Sequence, residues 1–386
     1  MKITIEDINQ FEKRTKIINK VVAKKSNMPV LLTFLLSATE DNCMIRATDL
    51  ETGCRINVSD LVTISDPGNI CLPAKSFYAL IKGKHGSLDI ETSAPGSSHS
   101  ALIGSMKMNG INPEEFPVWP NVEGIPSPVL NLATTLKKVS FAMGVSDTRY
   151  IINGLNLDCN EKKAVATDGH RLAVYDLNID TTDLKDNIVI PSKAVKVLEL
   201  LPENAKLSID TRFALFSFEN IEVMTRRLEG TFPKWQAVLP ATADLTTTVN
   251  VFRAELISKI ENTMKAIDKK VLSLYVRGDK LVIFGINPDR GELRETIQLL
   301  NFSQGDFQRF DFTGKYLIET LKSSTDETVS IKQPDKCTGP LMIDNTVMMP
   351  AKDDARPKDS LQYDVAPCDR LPEMASSDNL QAEIAA

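Results

Sequence analysis

The stretch that decides the fold is Ala166-Thr167-Asp168-Gly169-His170-Arg171-Leu172-Ala173-Val174. Its first three residues also occur at Ala47-Thr48-Asp49, 119 positions earlier. Phe116-Pro117-x-Trp119 likewise returns as Phe232-Pro233-x-Trp235, 116 positions later. One repeated tripeptide is noise, but independent landmarks that share one spacing indicate internal repeats of about 120 residues.

A third landmark extends the repeat towards the end of the chain. Lys75, Lys193 and Lys315 each follow a small residue and open an apolar run typical of a helix. A stretch with Gly and Pro near 122–128 and a threonine-rich stretch near 241–247 separate the copies. The sequence therefore predicts three domains, at residues 1–123, 129–241 and 247–352.

Each repeat shows the same order of local patterns. A helical segment comes first, predicted at Glu6–Lys25, Leu130–Gly144 and Phe252–Ile267. Strand-like runs, a second helix and further strands follow, and Lys206–Asp210 alternates as half-buried strands do. Two helices and about eight strands per repeat predict an α+β fold that is used three times.

The composition excludes several classes of protein. Hydrophobic residues make up 42% and charged residues 25%, which are ordinary values for a soluble globular protein. No apolar run reaches the roughly 18 residues of a membrane span, and the N-terminus lacks a signal-peptide pattern. The six cysteines form no Cys-x-x-Cys pair, so we expect no metal and no cofactor. Scattered thiols without a secretion signal indicate the cytoplasm.

The charge is sorted along the chain. The six helical stretches are each net basic and together carry +12, whereas the whole chain carries −6. In the first of them Lys13, Lys16, Lys20 and Lys24 share one helix face. A solvated amphipathic face would explain one such helix, but a shared polyanion explains all six. We therefore expect salt-sensitive, sequence-independent contact with duplex phosphates.

Asp168, His170 and Arg171 could instead form a catalytic or metal site. A histidine base needs a nucleophile or a metal partner within reach, and the other histidines, His85 and His99, lie in polar loop-like stretches. A purely structural turn, in which Gly169 permits a tight bend, is a further alternative.

These residues resemble the bacterial sliding clamp family, the β subunit of DNA polymerase III, over about residues 1–352. Further motifs carry the resemblance: Met28-Pro29-Val30-Leu31, Arg149-Tyr150-x-x-Asn153-Gly154, Val238-Leu239-Pro240 and Val347-Met348-Met349-Pro350. The resemblance implies a head-to-tail homodimeric ring of similar domains, with helices lining the hole around double-stranded DNA. It implies a non-catalytic processivity factor that tethers DNA polymerase and is opened by a clamp loader. A clamp-like protein of a mobile element that sequesters host replication partners is the alternative.

The resemblance also implies three sets of site residues. The pocket for short linear peptides of polymerase, clamp loader and other partners would contain Ile152, Thr167, Gly169, His170, Arg171, Leu172, Pro233, Val238, Val347, Met348, Met349 and Pro350. DNA contacts by matching position would be Lys25, Ser146 and Tyr150, and the helix argument adds Lys13, Lys20, Lys137 and Lys193, with Lys16, Lys138, Lys196, Lys259 and Lys315 as weaker candidates. The dimer interface would involve Met106 and Met108 from an edge strand and Ile267 from the third repeat.

Several positions depart from the family or allow another explanation. Ala237 and Ala351-Lys352 stand where the family often has arginines or apolar residues at the edge of the pocket, and Ile151 replaces a second aromatic residue. Core packing would also explain Met348 and Met349, and half-buried packing would explain Tyr150. Residues 353–386 form an acidic tail of net charge −5, for which we expect disorder. The tail could screen the pocket or be an inert extension.

Overall fold

The computed structural model describes residues 1–93, 99–180, 187–302, 307, 309–334 and 339–351. The acidic tail, 353–386, lies outside the described residues. The α-helices are α1 Ile8–Thr15, α2 Ile18–Val21, α3 Ala74–Ile81, α4 Leu132–Val139, α5 Ser192–Leu198, α6 Arg253–Ile267 and α7 Gly314–Ser323. Short 3-10 helices span Pro29–Leu32, Ser59–Leu61, Pro113–Glu115, Ser140–Ala142, Tyr150–Asn153, Trp235–Val238 and Thr242–Asp244.

The strands greatly outnumber the helices, and all the strand pairs we describe are antiparallel, which confirms the predicted α+β class. The first strands are β1 Lys2–Ile5, β2 Thr33–Ala38, β3 Cys43–Thr48, β4 Thr52–Asn57, β5 Val62–Asp66, β6 Gly68–Pro73, β7 Leu88–Thr92, β8 Ser100–Ile103 and β9 Met106–Asn109. The middle strands are β10 Ser127–Leu130, β11 Gly154–Asp158, β12 Lys163–Thr167, β13 Arg171–Asp176, β14 Asn178–Ile179, β15 Ile188–Pro191, β16 Ala205–Ile209, β17 Phe213–Ser217 and β18 Ile221–Arg226. The last strands are β19 Thr247–Phe252, β20 Val271–Arg277, β21 Lys280–Asn287, β22 Gly291–Gln298, β23 Asn301–Phe302, β24 Phe310–Thr313, β25 Thr328–Gln333, β26 Leu341–Ile343 and β27 Thr346–Met348.

The chain divides into two compact units. The first unit comprises Met1–Leu136, Cys159–Lys162 and Leu177–Leu228. It holds a five-stranded sheet in the order β5-β1-β7-β8-β9 and a nine-stranded sheet in the order β14-β10-β16-β17-β18-β4-β3-β2-β6. The larger sheet joins strands of the first and second repeats through the β18–β4 pair, which makes one continuous sheet from two repeats.

The second unit comprises Lys137–Asp158, Lys163–Asp176 and the residues from Glu229 onward. Its strands follow the order β11-β12-β13-β27-β26-β25-β19-β23 in one sheet and β22-β21-β20-β24 in a four-stranded sheet. Here the β13–β27 pair joins the second repeat to the third. The two units cut through the second repeat, so the three predicted domains and their boundaries stay a prediction.

The first predicted helix, Glu6–Lys25, is two shorter helices in the structure. The Tyr78 hydroxyl donates a 2.8 Å hydrogen bond to the Thr15 carbonyl, which an unbroken α-helix would use to accept from Asn19. The Asn19 amide instead donates to the carbonyl of Lys16, one residue closer. A single buried tyrosine therefore tightens the helix between α1 and α2.

The repeated Ala-Thr-Asp motif forms the same turn in both units. The Asp49 carboxylate accepts from the backbone amides of Glu51 and Thr52. The Asp168 carboxylate accepts from those of His170 and Arg171. The threonine hydroxyls of the two copies match in the same way, since each accepts from the amide two positions on. The internal repeat thus extends to individual hydrogen bonds.

The two turns differ at the residue that needs a left-handed backbone. Gly169 has a φ of +84° and Leu50, its counterpart, has a φ of +77°. A Cβ at Gly169 would lie 2.9 Å from Nη2 of Arg149, so the second copy adds a close contact to the backbone requirement. Leucine is strained in this region whereas glycine is not.

We predict opposite effects for exchanges at these two positions. Gly169→Ala should lower the free energy of unfolding by about 1–2 kcal/mol, because the new Cβ meets Arg149 and strains the turn. Leu50→Gly should leave the free energy of unfolding unchanged or higher, because relief of strain offsets the added unfolded-state entropy. Urea unfolding of both variants checks this. Equal destabilisation of both variants would contradict the structural difference.

Candidate peptide pocket

An apolar cavity of about 330 Å³, counting the space open to solvent, lies within the second unit. It is lined by Thr167, Gly169, Arg171, Leu172, Pro233, Trp235, Val238, Val347 and Met349. Apart from Trp235, all of these residues were predicted from the resemblance.

Strand register builds the floor of the cavity. Leu172 on β13 pairs with Val347 on β27, and Val165 on β12 pairs with Val174 on β13. These four side chains form one hydrophobic cluster with Trp235. Because side chains of paired residues lie on the same face of a sheet, three strands of two repeats present a continuous apolar surface.

The segment after β18 builds the opposite wall. Pro233 precedes the 3-10 helix Trp235–Val238, which turns Val238 towards the cavity. The Trp235 indole N–H donates a 3.1 Å hydrogen bond to Oδ2 of Asp158, and both side chains are buried. Trp235 was missed by sequence reasoning, although it belongs to the repeated Phe-Pro-x-Trp landmark and lies between the predicted pocket residues Pro233 and Val238.

Arg171 is the charged residue of the cavity wall, yet its side chain is only 4% exposed. Its Nε donates to Asp168 Oδ2 at 3.1 Å and its Nη2 donates to Glu319 Oε2 at 2.6 Å. The carbonyls of Phe141 and Tyr316 accept from its two terminal nitrogens at 2.6 and 3.2 Å. The guanidinium therefore makes four hydrogen bonds inside the protein.

Aromatic rings enclose the same guanidinium. The Phe141 ring centroid lies 5.0 Å and the Tyr316 centroid 4.5 Å from its central carbon, distances typical of cation–π contacts. Burial and the nearby Asp168 carboxylate raise the pKa of the Tyr316 phenol. Arg171 thus ties the pocket strand β13 to the helix α7.

Asp168 has a structural role in this arrangement. Its carboxylate accepts from the His170 and Arg171 amides and from the Arg171 side chain. The exposed His170 ring stacks on Tyr316, with centroids 5.6 Å apart. These contacts support the structural-turn alternative for Asp168 and give no geometry for an Asp–His catalytic pair.

Four predicted pocket residues lie away from the cavity lining. His170 and Pro350 are exposed, and Ile152 is buried in the 3-10 helix Tyr150–Asn153. Met348 is buried in the hydrophobic core around α6 and α7. Strand alternation explains the burial of Met348, because Val347 and Met348 point to opposite faces of β27.

The matching face of the first unit is polar where the pocket is apolar. Where the second unit pairs Val165 with Val174, the first unit pairs Arg46 with Arg55. Where the second unit pairs Leu172 with Val347, the first unit pairs Gly53 with Met224. Arg55 also forms an ion pair with Glu222. The two units share one register, but at these positions the second has aliphatic side chains where the first has two arginines, a glycine and a methionine.

The predicted DNA contacts mostly lie at the surface. Tyr150 is 55% exposed, and its hydroxyl donates to the carbonyl of Glu229. Ser146 is exposed on a left-handed backbone, with a φ of +56°. The exposed lysines of this set are Lys13, Lys16, Lys20, Lys25, Lys137, Lys196 and Lys315.

Other lysines of the helices have internal partners. Lys193 forms an ion pair with Asp49 and donates to the carbonyl of Val21 at 2.7 Å, so its charge serves the first unit. Lys259 bonds Glu295 at 2.7 Å, and this hydrogen bond raises the pKa of the lysine. Lys138 lies over the Tyr175 ring. Part of the positive charge on the helices therefore has partners within the protein.

The predicted interface residues differ in exposure. Met106 is 41% exposed on β9, an edge strand of the five-stranded sheet. Met108 on the same strand is buried, as is Ile267 in the core around α6. Of the three, Met106 is placed to contact another copy.

The described residues contain neither a metal-binding cluster nor a membrane-spanning helix. They contain no group of three or more His, Cys, Asp or Glu side chains arranged to hold a metal ion. No helix in the same residues is long and apolar enough to cross a membrane.

Comparison with protein families gives two matches, in order along the chain. Residues 1–120 match the DNA polymerase III beta subunit, N-terminal domain. Residues 128–234 match the DNA polymerase III beta subunit, central domain.

Individual proteins are similar over most of the chain. The beta sliding clamp of Staphylococcus aureus strain Mu50 is 25% identical over 339 residues, which cover 81% of this chain and 88% of that protein. The DNA polymerase sliding clamp of Bacillus subtilis has a similar fold, with a TM-score of 0.82 at 22% identity, covering 92% of this chain and 99% of that one. The sliding clamp of Bartonella birtlesii bound to griselimycin gives a TM-score of 0.81 at 23% identity, covering 92% and 100%.

We predict that Arg171→Met lowers the free energy of unfolding by about 3 kcal/mol, because Asp168 and Glu319 lose their buried counter-charge. Lys315→Met is the matched control. It removes a 3.8 Å pair with the same Glu319, but at an exposed site, and should cost less than about 0.5 kcal/mol. Urea unfolding measures both changes. Equal effects of the two variants would show that the Arg171 contacts do not stabilise the fold.

Proposed function

This chain belongs to the family of DNA polymerase III beta subunits, the bacterial sliding clamps, and we propose that it encircles duplex DNA and tethers the replicative polymerase. The observation that carries this proposal is the match of two successive clamp domains over residues 1–120 and 128–234. The function is topological and not catalytic, and it takes place in the cytoplasm with the replication machinery.

Open sheet edges support assembly of two copies into a ring. Strand β9 ends the five-stranded sheet of the first unit, and β22 ends the four-stranded sheet of the second. An unpaired edge has free backbone donors and acceptors, which pairing with another chain satisfies. Head-to-tail pairing of unlike edges closes a ring when the rotation between copies allows it.

Exposed lysines support contact with DNA. Lys13 lies on α1, Lys16 between α1 and α2, and Lys20 on α2, and all three are exposed. Mobile ammonium groups neutralise phosphates without recognising bases, so such contacts allow a ring to slide.

The apolar cavity supports docking of short peptides from partners. Its aliphatic and aromatic lining suits apolar anchor side chains, and Met349 gives one wall an adaptable surface. We propose the residues that line it, and not His170 or Pro350, as the contact set for polymerase, clamp loader and other partners. Griselimycin, to which the Bartonella birtlesii clamp is bound, is a candidate small ligand of this chain.

DNA topology tests the clamp function. After loading by a clamp loader and ATP, the protein should remain on nicked circular DNA through gel filtration and be lost when a restriction enzyme linearises that DNA. A ring held by topology has no other route of escape. Equal retention on both forms would contradict encirclement. Polymerase assays address the mobile-element alternative, which predicts inhibition where a processivity factor stimulates synthesis.

Charge placed in the cavity tests the peptide site. Val238→Asp should weaken binding of a fluorescein-labelled hexapeptide with adjacent Leu and Phe side chains by more than about tenfold, because a carboxylate would face apolar anchors. Gln236→Asp, an exposed position on the same 3-10 helix, should change the affinity by less than about twofold. Fluorescence anisotropy measures both. Equal affinity of the two variants would place the peptide site elsewhere.

A further inference from the structure

We infer that Asp158 is a positioning residue that keeps the peptide pocket open by holding the Trp235 ring against one wall. This inference rests on the proposed peptide-docking function. Asp158 ends β11, is buried, and accepts the Trp235 indole N–H at 3.1 Å. Asp158 is not part of the cavity lining, so it acts through Trp235.

The first unit shows where the same tryptophan lies without such a partner. Trp119 occupies the repeat position of Trp235, and its ring lies on the sheet surface at Gly53. A Cβ built on Gly53 would be 3.0 Å from Cζ3 of Trp119. Since Gly53 corresponds to Leu172 on the pocket floor, the Trp119 ring lies where the second unit has the Leu172 side chain and, beside it, the cavity.

Sheet register identifies the missing partner. In the second unit Asp158 pairs with Lys163, and in the first unit Ser37 pairs with Met44. Because the two pairs occupy matching positions, Ser37 is the counterpart of Asp158. The Ser37 hydroxyl accepts from Nη2 of Arg46 at 3.4 Å. The first copy therefore has neither a carboxylate nor a free position at this point of the strand.

Other contacts stabilise the covering position of Trp119. The guanidinium of Arg55 lies 5.1 Å from the ring centroid of Trp119, and the Met224 methyl group lies 3.4 Å from the same Gly53 Cβ position. The second unit has Val174 and Val347 at these two places, which an indole could equally cover. The hydrogen bond from Trp235 to Asp158 opposes that apolar contact.

The Trp235 ring and an anchor side chain of the peptide compete for the same space in the pocket. The Trp235 ring already packs with Leu172 in one cluster. Without its acceptor the ring is free to turn further over Leu172, and it then occupies the space that a peptide anchor needs. If the ring covers the pocket nine-tenths of the time, the apparent affinity for a peptide falls about tenfold.

Peptide binding to the full-length chain tests this inference. Asp158→Ala should weaken binding of the Leu-Phe hexapeptide by about tenfold, and Asp158→Asn, which keeps an oxygen acceptor, should restore it to within about threefold of the unchanged chain. In a Trp235→Leu background, Asp158→Ala should have no further effect, because no indole remains to cover the pocket. The same loss in both backgrounds would overturn the inference.

Fluorescence tests the ring position without any ligand. The chain has two tryptophans, so Trp119→Phe leaves Trp235 as the one indole reporter. In that background Asp158→Ala should change the emission maximum and acrylamide quenching of Trp235, and Asp158→Asn should not. Unchanged emission with Asp158→Ala would overturn the inference. Weaker docking of the clamp loader should lower the number of rings loaded by the Asp158→Ala and Trp235→Leu variants, but the rings that do load should stay on circular DNA as long as those of the unchanged chain. Failure of the positioning inference therefore remains distinct from failure of the clamp function.

Discussion

The pairing of β13 with β27, locked by the Arg171 guanidinium, is the constraint on which the second unit depends. It brings Leu172 beside Val347 although they are 175 positions apart in the chain. Without this register the pocket floor would not exist, because its aliphatic side chains come from two repeats. Arg171 adds four hydrogen-bonding partners and two aromatic faces to the same junction, so one buried cation orders both the fold and the edge of the cavity.

The two units show how a repeated fold acquires one specialised surface. The Thr-Asp turns retain the same hydrogen bonds, and the strands retain the same register. What differs is a small set of side chains: arginines and a glycine on one face, and valines and a leucine on the other. Burial of apolar surface drives ligand docking, whereas a paired arginine prefers water and its carboxylate. A handful of exchanges therefore separates a closed face from an open pocket without changing the backbone.

The fold was largely predictable because its signals are periodic or repeated. The helices α6 and α7 and the strand β16 lie close to where the sequence pattern placed them. The exception, the first helix, breaks at Thr15 because Tyr78, 63 positions away, binds its carbonyl. The pocket residues on β13 and near Pro233 followed from the family resemblance. That Met348 and Met108 are buried could not be read from the sequence, because the strand phase decides which of two neighbouring residues faces outward.

By itself the sequence determined the repeats, the α+β class, the net basic helices and the apolar character of the pocket segments. These depend on local composition and spacing, which a chain carries whether folded or not. Only the tertiary structure decided that Lys193 forms an ion pair with Asp49, that Arg171 is buried, and that Asp158 accepts a hydrogen bond from Trp235. The Lys193–Asp49 and Asp158–Trp235 contacts join residues at least 77 positions apart, and Arg171 is buried by elements distant in the sequence. All three therefore depend on strand register and burial, which no local pattern encodes.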